Sequence, residues 1–157
     1  MLSLDDPVWK QFKANYTDGA HVAELLAQAE SGEPLDSWYD DLFQEICHQY
    51  TVSEAAYPAG PHLVHLAEAH QELRIPLLVL LGTCHAYSQP LKPHTLPPKV
   101  QEDWDTTTQQ SIPLLAELLA QPDIPEVDLV YMLSALAAFH GYKSLAVAIE
   151  GLDYGSE

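Results

Sequence analysis

The spacing of apolar residues along this chain is that of α-helices almost throughout. No segment alternates apolar and polar positions for long, as a half-buried strand would. The segment from Asp36 to Tyr50 shows the helical pattern most clearly, with one broad apolar stripe and polar residues opposite. The stripe consists of Trp38, Tyr39, Leu42, Phe43, Ile46, Cys47 and Tyr50. The pattern predicts an amphipathic helix over 36–50.

Similar periodicity predicts five further helices, over residues 21–29, 61–72, 75–87, 99–119 and 126–139. The helices over 75–87 and 126–139 are apolar on nearly all sides, so we expect them to be buried from several directions. Pro113 predicts a kink or a restart in the helix over 99–119. Asp6 followed by Pro7 predicts a capped N-terminal helix. Four prolines between Gln89 and Pro98 predict the one long loop.

Three parts of the chain share an internal pattern. Each opens on Gly-Ala-His, Gly-Pro-His or Ile-Pro, continues through two helical segments, and closes on His-x-Tyr at His48, His85 or His140. A single helical hairpin cannot bury its apolar face alone, so such units stack on their neighbours. The pattern predicts one all-α domain over 1–157, made of hairpins at roughly 19–50, 60–87 and 99–142 after an N-terminal helix.

The net charge of the chain indicates which classes of partner it can bind. The 157 residues include 23 Asp and Glu against 6 Lys and Arg, which gives a net charge of -17. A nucleic-acid binder needs a basic surface for phosphate contacts, and so does a protein that docks on an anionic membrane. The charge argues against both classes. It favours a positively charged partner.

The acids are concentrated where basic residues are missing. No Lys or Arg lies between Ala14 and Leu73, yet this stretch has eleven acids. The predicted outward face of the helix over 36–50 and the residues after it provide the candidate partner-binding patch. Its members are Asp36, Asp40, Asp41, Glu45 and Glu54. The alternative is a solvated helix face that only keeps the protein soluble.

Histidines and tyrosines near the predicted helix ends are the next candidates. We interpret His48, like the other two repeat-closing histidines, as a partner of exposed carbonyls at a helix C-terminus. Tyr50 and Tyr57 either close the core with a wetted hydroxyl or serve as interface anchors. The interface-or-structural set is therefore His48, Tyr50 and Tyr57.

The sequence gives little evidence of catalytic or metal-binding residues. Each cysteine directly precedes a histidine, and helical neighbours point about 100° apart, so Cys47–His48 and Cys84–His85 do not form catalytic dyads. We interpret the cysteines as small core residues, with a disulfide as the alternative. His62, His65 and Glu68 follow one helix face at i, i+3 spacing and are weak candidates for a zinc or iron site. We predict no catalytic residues, no cofactor and no metal site.

A resemblance rests on the run Cys47-His48-Gln49-Tyr50-Thr51-Val52, then Tyr57, then Pro61-His62-Leu63-Val64. It is similar to a motif of short bacterial HEAT-like helical-repeat proteins, in which a glycine is expected at the position of Tyr50. The resemblance implies a right-handed stack of antiparallel hairpins, a HEAT-like α-solenoid of about three repeats. Such families include immunity proteins that neutralise secreted toxins.

The expected function is a non-catalytic, acidic protein-binding module in the cytoplasm. The resemblance implies, more specifically, an immunity protein that binds and neutralises a basic bacterial toxin domain. One alternative is a scaffold or regulatory adaptor for an endogenous protein or peptide. Another is a metal-dependent enzyme using the histidine set. The first residues lack the basic and apolar regions of a signal peptide, and no run reaches the ~18 apolar residues of a membrane span.

Overall fold

Seven α-helices and one two-stranded sheet form the part of the chain that the computed structural model describes, residues 1–32, 37–89 and 96–152. The helices are α1 (Gly19–Glu30), α2 (Trp38–Ile46), α3 (Ala56–Ala69), α4 (Arg74–Tyr87), α5 (Pro98–Leu119), α6 (Glu126–Phe139) and α7 (Lys143–Glu150). The strands are β1 (Cys47–His48) and β2 (Thr51–Val52), and short 3-10 helices span Pro7–Gln11 and Gln71–Leu73. The all-α class is thus confirmed, apart from this small hairpin.

Consecutive helices pack in pairs, α1 on α2, α3 on α4 and α5 on α6. The first members, α1, α3 and α5, also contact one another in order, and α4 lies against α6. One apolar core runs through all of these helices, with Leu26, Leu42, Leu78 and Leu115 fully buried. No helix among the described residues is both long and apolar enough to cross a membrane.

Helices α4 and α6 approach each other closely at Gly82 of α4, which faces Ala135 of α6. A methyl group on Gly82 would lie 2.3 Å from the Cβ of Ala135. Backbones can come this close only where a side chain is missing. Each of these two helices is covered by the other and by α3, α5 or α7. This burial explains why both helices are apolar on nearly all sides.

The prediction of one helix over 36–50 is wrong at its C-terminal end. Helix α2 ends at Ile46, and the chain turns back so that Cys47 pairs with Val52 and His48 with Thr51. The two turn residues, Gln49 and Tyr50, have left-handed φ angles of 45° and 63°. Positive φ at both central residues is the signature of a type I′ hairpin turn. The helical spacing of Cys47 and Tyr50 was therefore misleading.

Two other boundaries are corrected by the structure. Helix α3 begins at Ala56 and ends at Ala69, whereas the apolar periodicity predicted a helix over 61–72. Helix α5 is continuous through Pro113, so no helix restarts there.

The ends of the chain differ from expectation as well. The N-terminal helix is only the 3-10 turn Pro7–Gln11, although its predicted cap is confirmed, since Asp6 Oδ1 accepts the Val8 N–H at 2.9 Å. Helix α7 was not predicted. Most of the proline-rich loop lies outside the described residues.

Candidate functional site

The predicted acidic patch does not form one surface. Asp40 and Asp41 lie exposed in the first turn of α2, and Glu54 is half-buried after β2. Glu45 is only 6% exposed. Asp36 lies outside the described residues. The four described acids therefore have different surroundings, and of these four only Asp40 and Asp41 are exposed.

The placement of Glu45 on an outward face is wrong. Its Oε2 accepts the backbone N–H groups of Tyr16 and Thr17, each at 3.1 Å. The segment that precedes α1 folds over this side of α2, which the helix pattern alone could not reveal. A carboxylate that accepts two backbone N–H bonds is a structural anchor, because these charge-assisted hydrogen bonds hold the two segments together.

Glu54 has a related structural contact. Its Oε2 accepts the Lys13 N–H at 3.2 Å, and the Ala55 N–H returns a bond to the Lys13 carbonyl at 3.0 Å. Glu54 thus holds the same N-terminal segment against the start of α3. It retains partial exposure, at the edge of a small cleft lined by Tyr50 and Tyr57.

Asp40 and Asp41 keep their charge exposed at the N-terminus of α2. Acidic side chains in a first helical turn interact favourably with the helix dipole. The Ser37 hydroxyl donates to Asp41 Oδ2 at 2.8 Å. Among the described residues, no Lys or Arg side chain lies within ion-pair distance of either carboxylate. Their negative field is therefore not locally neutralised.

The residues predicted to be either interface or structural residues also differ in their exposure. Tyr57 is 5% exposed and packs on Trp104 with ring centroids 4.8 Å apart, so it belongs to the core. His48 lies in β1, directly after the C-cap of α2, and its ring contacts side chains: Nδ1 meets Gln44 Oε1, and the ring meets Tyr16 edge-on at 5.1 Å. Tyr50 is 56% exposed. Of the three, Tyr50 alone has an accessible aromatic ring.

The ring of Tyr50 forms one wall of an open pocket of about 550 Å³. Tyr50 stacks on Tyr87 of α4, with centroids 4.4 Å apart and an interplanar angle of 27°. Other lining residues come from α2, α4, α6 and α7, and include Tyr39, Phe43, Thr83, Tyr131 and Glu150. Since four helices and the hairpin turn meet here, the pocket is a product of the tertiary fold.

Glu150 of α7 gives this pocket its negative charge. Burial raises the pKa of the Glu150 carboxyl, and a hydrogen bond from Tyr87 partly offsets that rise. The same carboxylate raises the pKa of the Tyr50 hydroxyl, and burial together with Glu150 raises that of Tyr87. The Tyr39 hydroxyl instead donates to the Pro76 carbonyl at 3.1 Å. The pocket is therefore aromatic, with one acid.

The histidine set proposed for a metal is divided between two environments. His62 is 2% exposed, with Nδ1 at 3.1 Å from Glu30 Oε1 and Nε2 at 2.9 Å from the Leu2 carbonyl. Both of its ring nitrogens therefore have protein partners. His65 and Glu68 line a separate cleft of about 250 Å³. Within the described ranges, no three His, Cys, Asp or Glu side chains are grouped as metal ligands.

The two cysteines are buried and free. Their thiols are hydrogen-bonded to each other, which lowers the pKa of Cys47 and raises that of Cys84. Each is at most 1% exposed. This agrees with the prediction that both are small core residues.

His85 differs from the sequence interpretation as well. Its ring stacks on Trp104 at 4.0 Å, and its Nε2 is 2.9 Å from Thr107 Oγ1. The Thr107 hydroxyl donates its one proton to the Trp104 carbonyl at 2.7 Å. His85 must then donate from Nε2, as the neutral tautomer. It connects α4 to α5 and, within the described residues, its ring donates to the Thr107 hydroxyl rather than to a helix carbonyl.

Sequence reasoning named Tyr50 but missed most of the pocket. Tyr39 and Phe43 were assigned to the buried stripe of α2, and Tyr131 to a helix with no polar face. Glu150 lies on the helix that was not predicted. The signal available was the polar tip of each tyrosine within an apolar run, since buried tyrosines usually place the hydroxyl near water.

Comparison of the chain with protein families, with curated proteins and with solved structures finds no match. The fold and the pocket are therefore interpreted from their own chemistry.

Proposed function

We propose that this protein is a non-catalytic, acidic binding module whose partner is a basic protein. The observation that carries the proposal is the exposed negative charge of α1, α2 and α3, whose acids form no ion pair with a described Lys or Arg. Besides Asp40 and Asp41, the Lys- and Arg-free stretch exposes Asp18, Glu24, Glu30, Glu68 and Glu72. A field of this kind accelerates association with a positively charged surface.

The basic residues with a described contact are already engaged. Lys99 pairs with Asp103 at 2.8 Å, and Arg74 pairs with Glu117 at 3.7 Å. The Lys143 amino group donates to the Ser88 carbonyl at 2.6 Å. These contacts leave the acids of α1, α2 and α3 without local counter-charges of the Lys or Arg type among the described residues.

The architecture that we propose for this module is a HEAT-like stack of hairpins. Its support is the pairing of successive helices and the contact of α1 with α3, α3 with α5 and α4 with α6. The hairpin at Tyr50 and the helix α7 are departures from a simple repeat. Stacked hairpins present long surfaces suited to protein partners.

The sharper form of the proposal is an immunity protein that occludes a basic toxin domain. Its support is the resemblance of the Cys47–Val64 segment to such families, together with the charge. A toxin that acts on nucleic acid has a basic substrate surface. Carboxylates of this chain would occupy the positions of the phosphates.

Affinity capture at two salt concentrations tests the general proposal. The immobilised chain should retain a basic protein at about 50 mM salt and release most of it at about 500 mM, because salt screens exposed charges. Substitution of Asp40→Asn with Asp41→Asn should slow association several-fold. The matched control substitutes Glu126→Gln with Asp128→Asn, which removes the same charge from the first turn of α6. Equal effects of both pairs, or capture indifferent to salt, would contradict a specific acidic face.

The toxin form has its own measurement. If the captured basic protein stops growth when it is produced alone, co-expression of this chain should restore growth to the cells that produce it. If the captured protein is instead an endogenous regulator and no growth rescue occurs, the scaffold alternative replaces the immunity proposal.

A further inference from the structure

The tyrosine-lined pocket contains a carboxylate oxygen without a partner. Glu150 Oε2 is buried, and it has no hydrogen-bond partner among the described residues. A buried acceptor without a donor costs free energy in the unbound protein. A ligand that brings N–H groups to this oxygen would recover that cost. The pocket therefore favours an occupant that donates hydrogen bonds.

The aromatic lining indicates the charge of that occupant. Tyr39, Phe43, Tyr50 and Tyr131 border the same space as Glu150. The faces of aromatic rings attract cations, and several rings around one site are the arrangement that binds alkylammonium groups. The combination of tyrosines with one carboxylate suits a lysine ammonium or an arginine guanidinium better than a neutral or anionic group.

The backbone at Tyr50 gives a second, independent indication. Its φ of 63° lies in the left-handed region, at the turn position where glycine is preferred. Bulky residues rarely adopt this conformation, and those that do are concentrated at functional sites. Here the strained conformation places a half-exposed ring on Tyr87 at the mouth of the pocket.

No described basic side chain occupies this position. The Lys143 ammonium, on the same helix as Glu150, donates to the Ser88 carbonyl and hydroxyl at 2.6 and 2.9 Å. Within the described residues, no Lys or Arg forms an ion pair with Glu150. The cation that suits the pocket must therefore be supplied from outside the described part of the chain.

We infer that this pocket binds the ammonium or guanidinium group of a Lys or Arg side chain presented by the basic partner. The volume of about 550 Å³ accommodates such a side chain, with its methylenes against Phe43 and its charge beside Glu150. The identity of the occupant rests on the proposed function. The general acidic surface would steer the partner, and this pocket would anchor one of its basic residues.

Titration with single-residue probes tests the pocket directly. Backbone amide NMR signals would be followed while Nα-acetyl-lysine methylamide is added to the full chain. The matched neutral probe is Nα-acetyl-norleucine methylamide, which keeps the methylenes and lacks the charge. We expect saturable shifts at Tyr50, Thr83 and Glu150 with the lysine probe, and at least about fivefold weaker binding of the neutral probe.

Two variants connect the binding to the residues proposed. Tyr50→Gly removes the ring while favouring the turn, so the fold should be retained and lysine-probe binding should weaken about tenfold. Glu150→Gln keeps the shape of the side chain and should weaken it at least as much. The control is Tyr142→Ser, at a tyrosine that is 65% exposed and does not line the pocket.

The outcomes separate this inference from the proposed function. Equal binding of the lysine and norleucine probes, or unchanged affinity in Tyr50→Gly, would overturn the inference. Salt-sensitive capture of a basic protein that is unaffected by Tyr50→Gly would also overturn it, while the general proposal stands. Lysine-probe binding that both pocket variants weaken by about tenfold or more supports it, even if no basic protein is captured and the general proposal fails.

Discussion

Lowering the pH should destabilise this protein through His85. The ring is 8% exposed, between Trp104 and Phe139, and donates from Nε2 to Thr107. Burial, with a smaller contribution from the positive charge of Lys143, lowers the pKa of His85 to about 3. The unfolded chain has the ordinary histidine pKa of about 6.5. Between these values the unfolded state binds a proton that the folded state does not.

The sign and size of the effect follow from this difference. Because only the unfolded state takes up the proton, the free energy of unfolding falls as the pH falls from about 6.5 towards about 3. A pH of about 5 is about 1.5 units below the pKa of histidine in the unfolded chain, so protonation stabilises the unfolded state by about 2 kcal/mol. At about pH 7.5 the contribution is close to zero. The loss is a large share of the stability of a small domain.

Urea unfolding of the wild type and of His85→Gln at several pH values measures this contribution. Glutamine can still donate to Thr107, but it does not titrate. We expect the variant to be less stable than the wild type at about pH 7.5, and its free energy of unfolding to lack the pH dependence that His85 causes. The difference between the two proteins should shrink by about 2 kcal/mol at about pH 5. His140→Gln, at an exposed histidine, should change by less than about 1 kcal/mol. A wild-type-minus-variant difference that is independent of pH would refute a buried, neutral His85.

Three further outcomes are expected. Glu45→Gln should lower the free energy of unfolding in urea by about 1–3 kcal/mol, whereas Asp41→Asn should change it by less than about 0.5 kcal/mol; equal losses would contradict the anchoring role. Gly82→Ala should cost about 1–3 kcal/mol by overpacking against Ala135, while Gly151→Ala, whose added carbon meets only ordinary contacts, should cost far less. Both thiols should resist a disulfide reagent in the native protein and react in urea; rapid native labelling would show that they are accessible.

The helices with long apolar patterns were predicted well from sequence. Helix α6 has the predicted bounds, and α4 begins one residue early, because their apolar positions are determined by burial alone. The hairpin after Ile46 could not be predicted in this way. A left-handed tyrosine violates local preference, and tertiary contacts with Tyr87 outweigh it.

The candidate site was predictable only in part, for a related reason. The exposed charge of Asp40 and Asp41 follows from one helix and its own periodicity. The burial of Glu45 depends on a segment almost thirty residues earlier, which no local pattern encodes. The pocket depends on four helices and a turn that are distant in sequence. Surfaces built from one element can be predicted, and surfaces built from several cannot.

The contacts of Asn15 have a consequence for the order in which this protein forms. Its backbone N–H donates to the Glu45 carbonyl at 2.9 Å, and its side-chain amide donates to the Gln44 and Thr51 carbonyls at 3.2 and 3.0 Å. The end of α2 is thus capped by residues that precede the helix in the chain. During synthesis from the N-terminus, the cap is available before the helix that needs it. An N-terminal truncation past Asn15 would leave the last turn of α2 and the β-hairpin to open together.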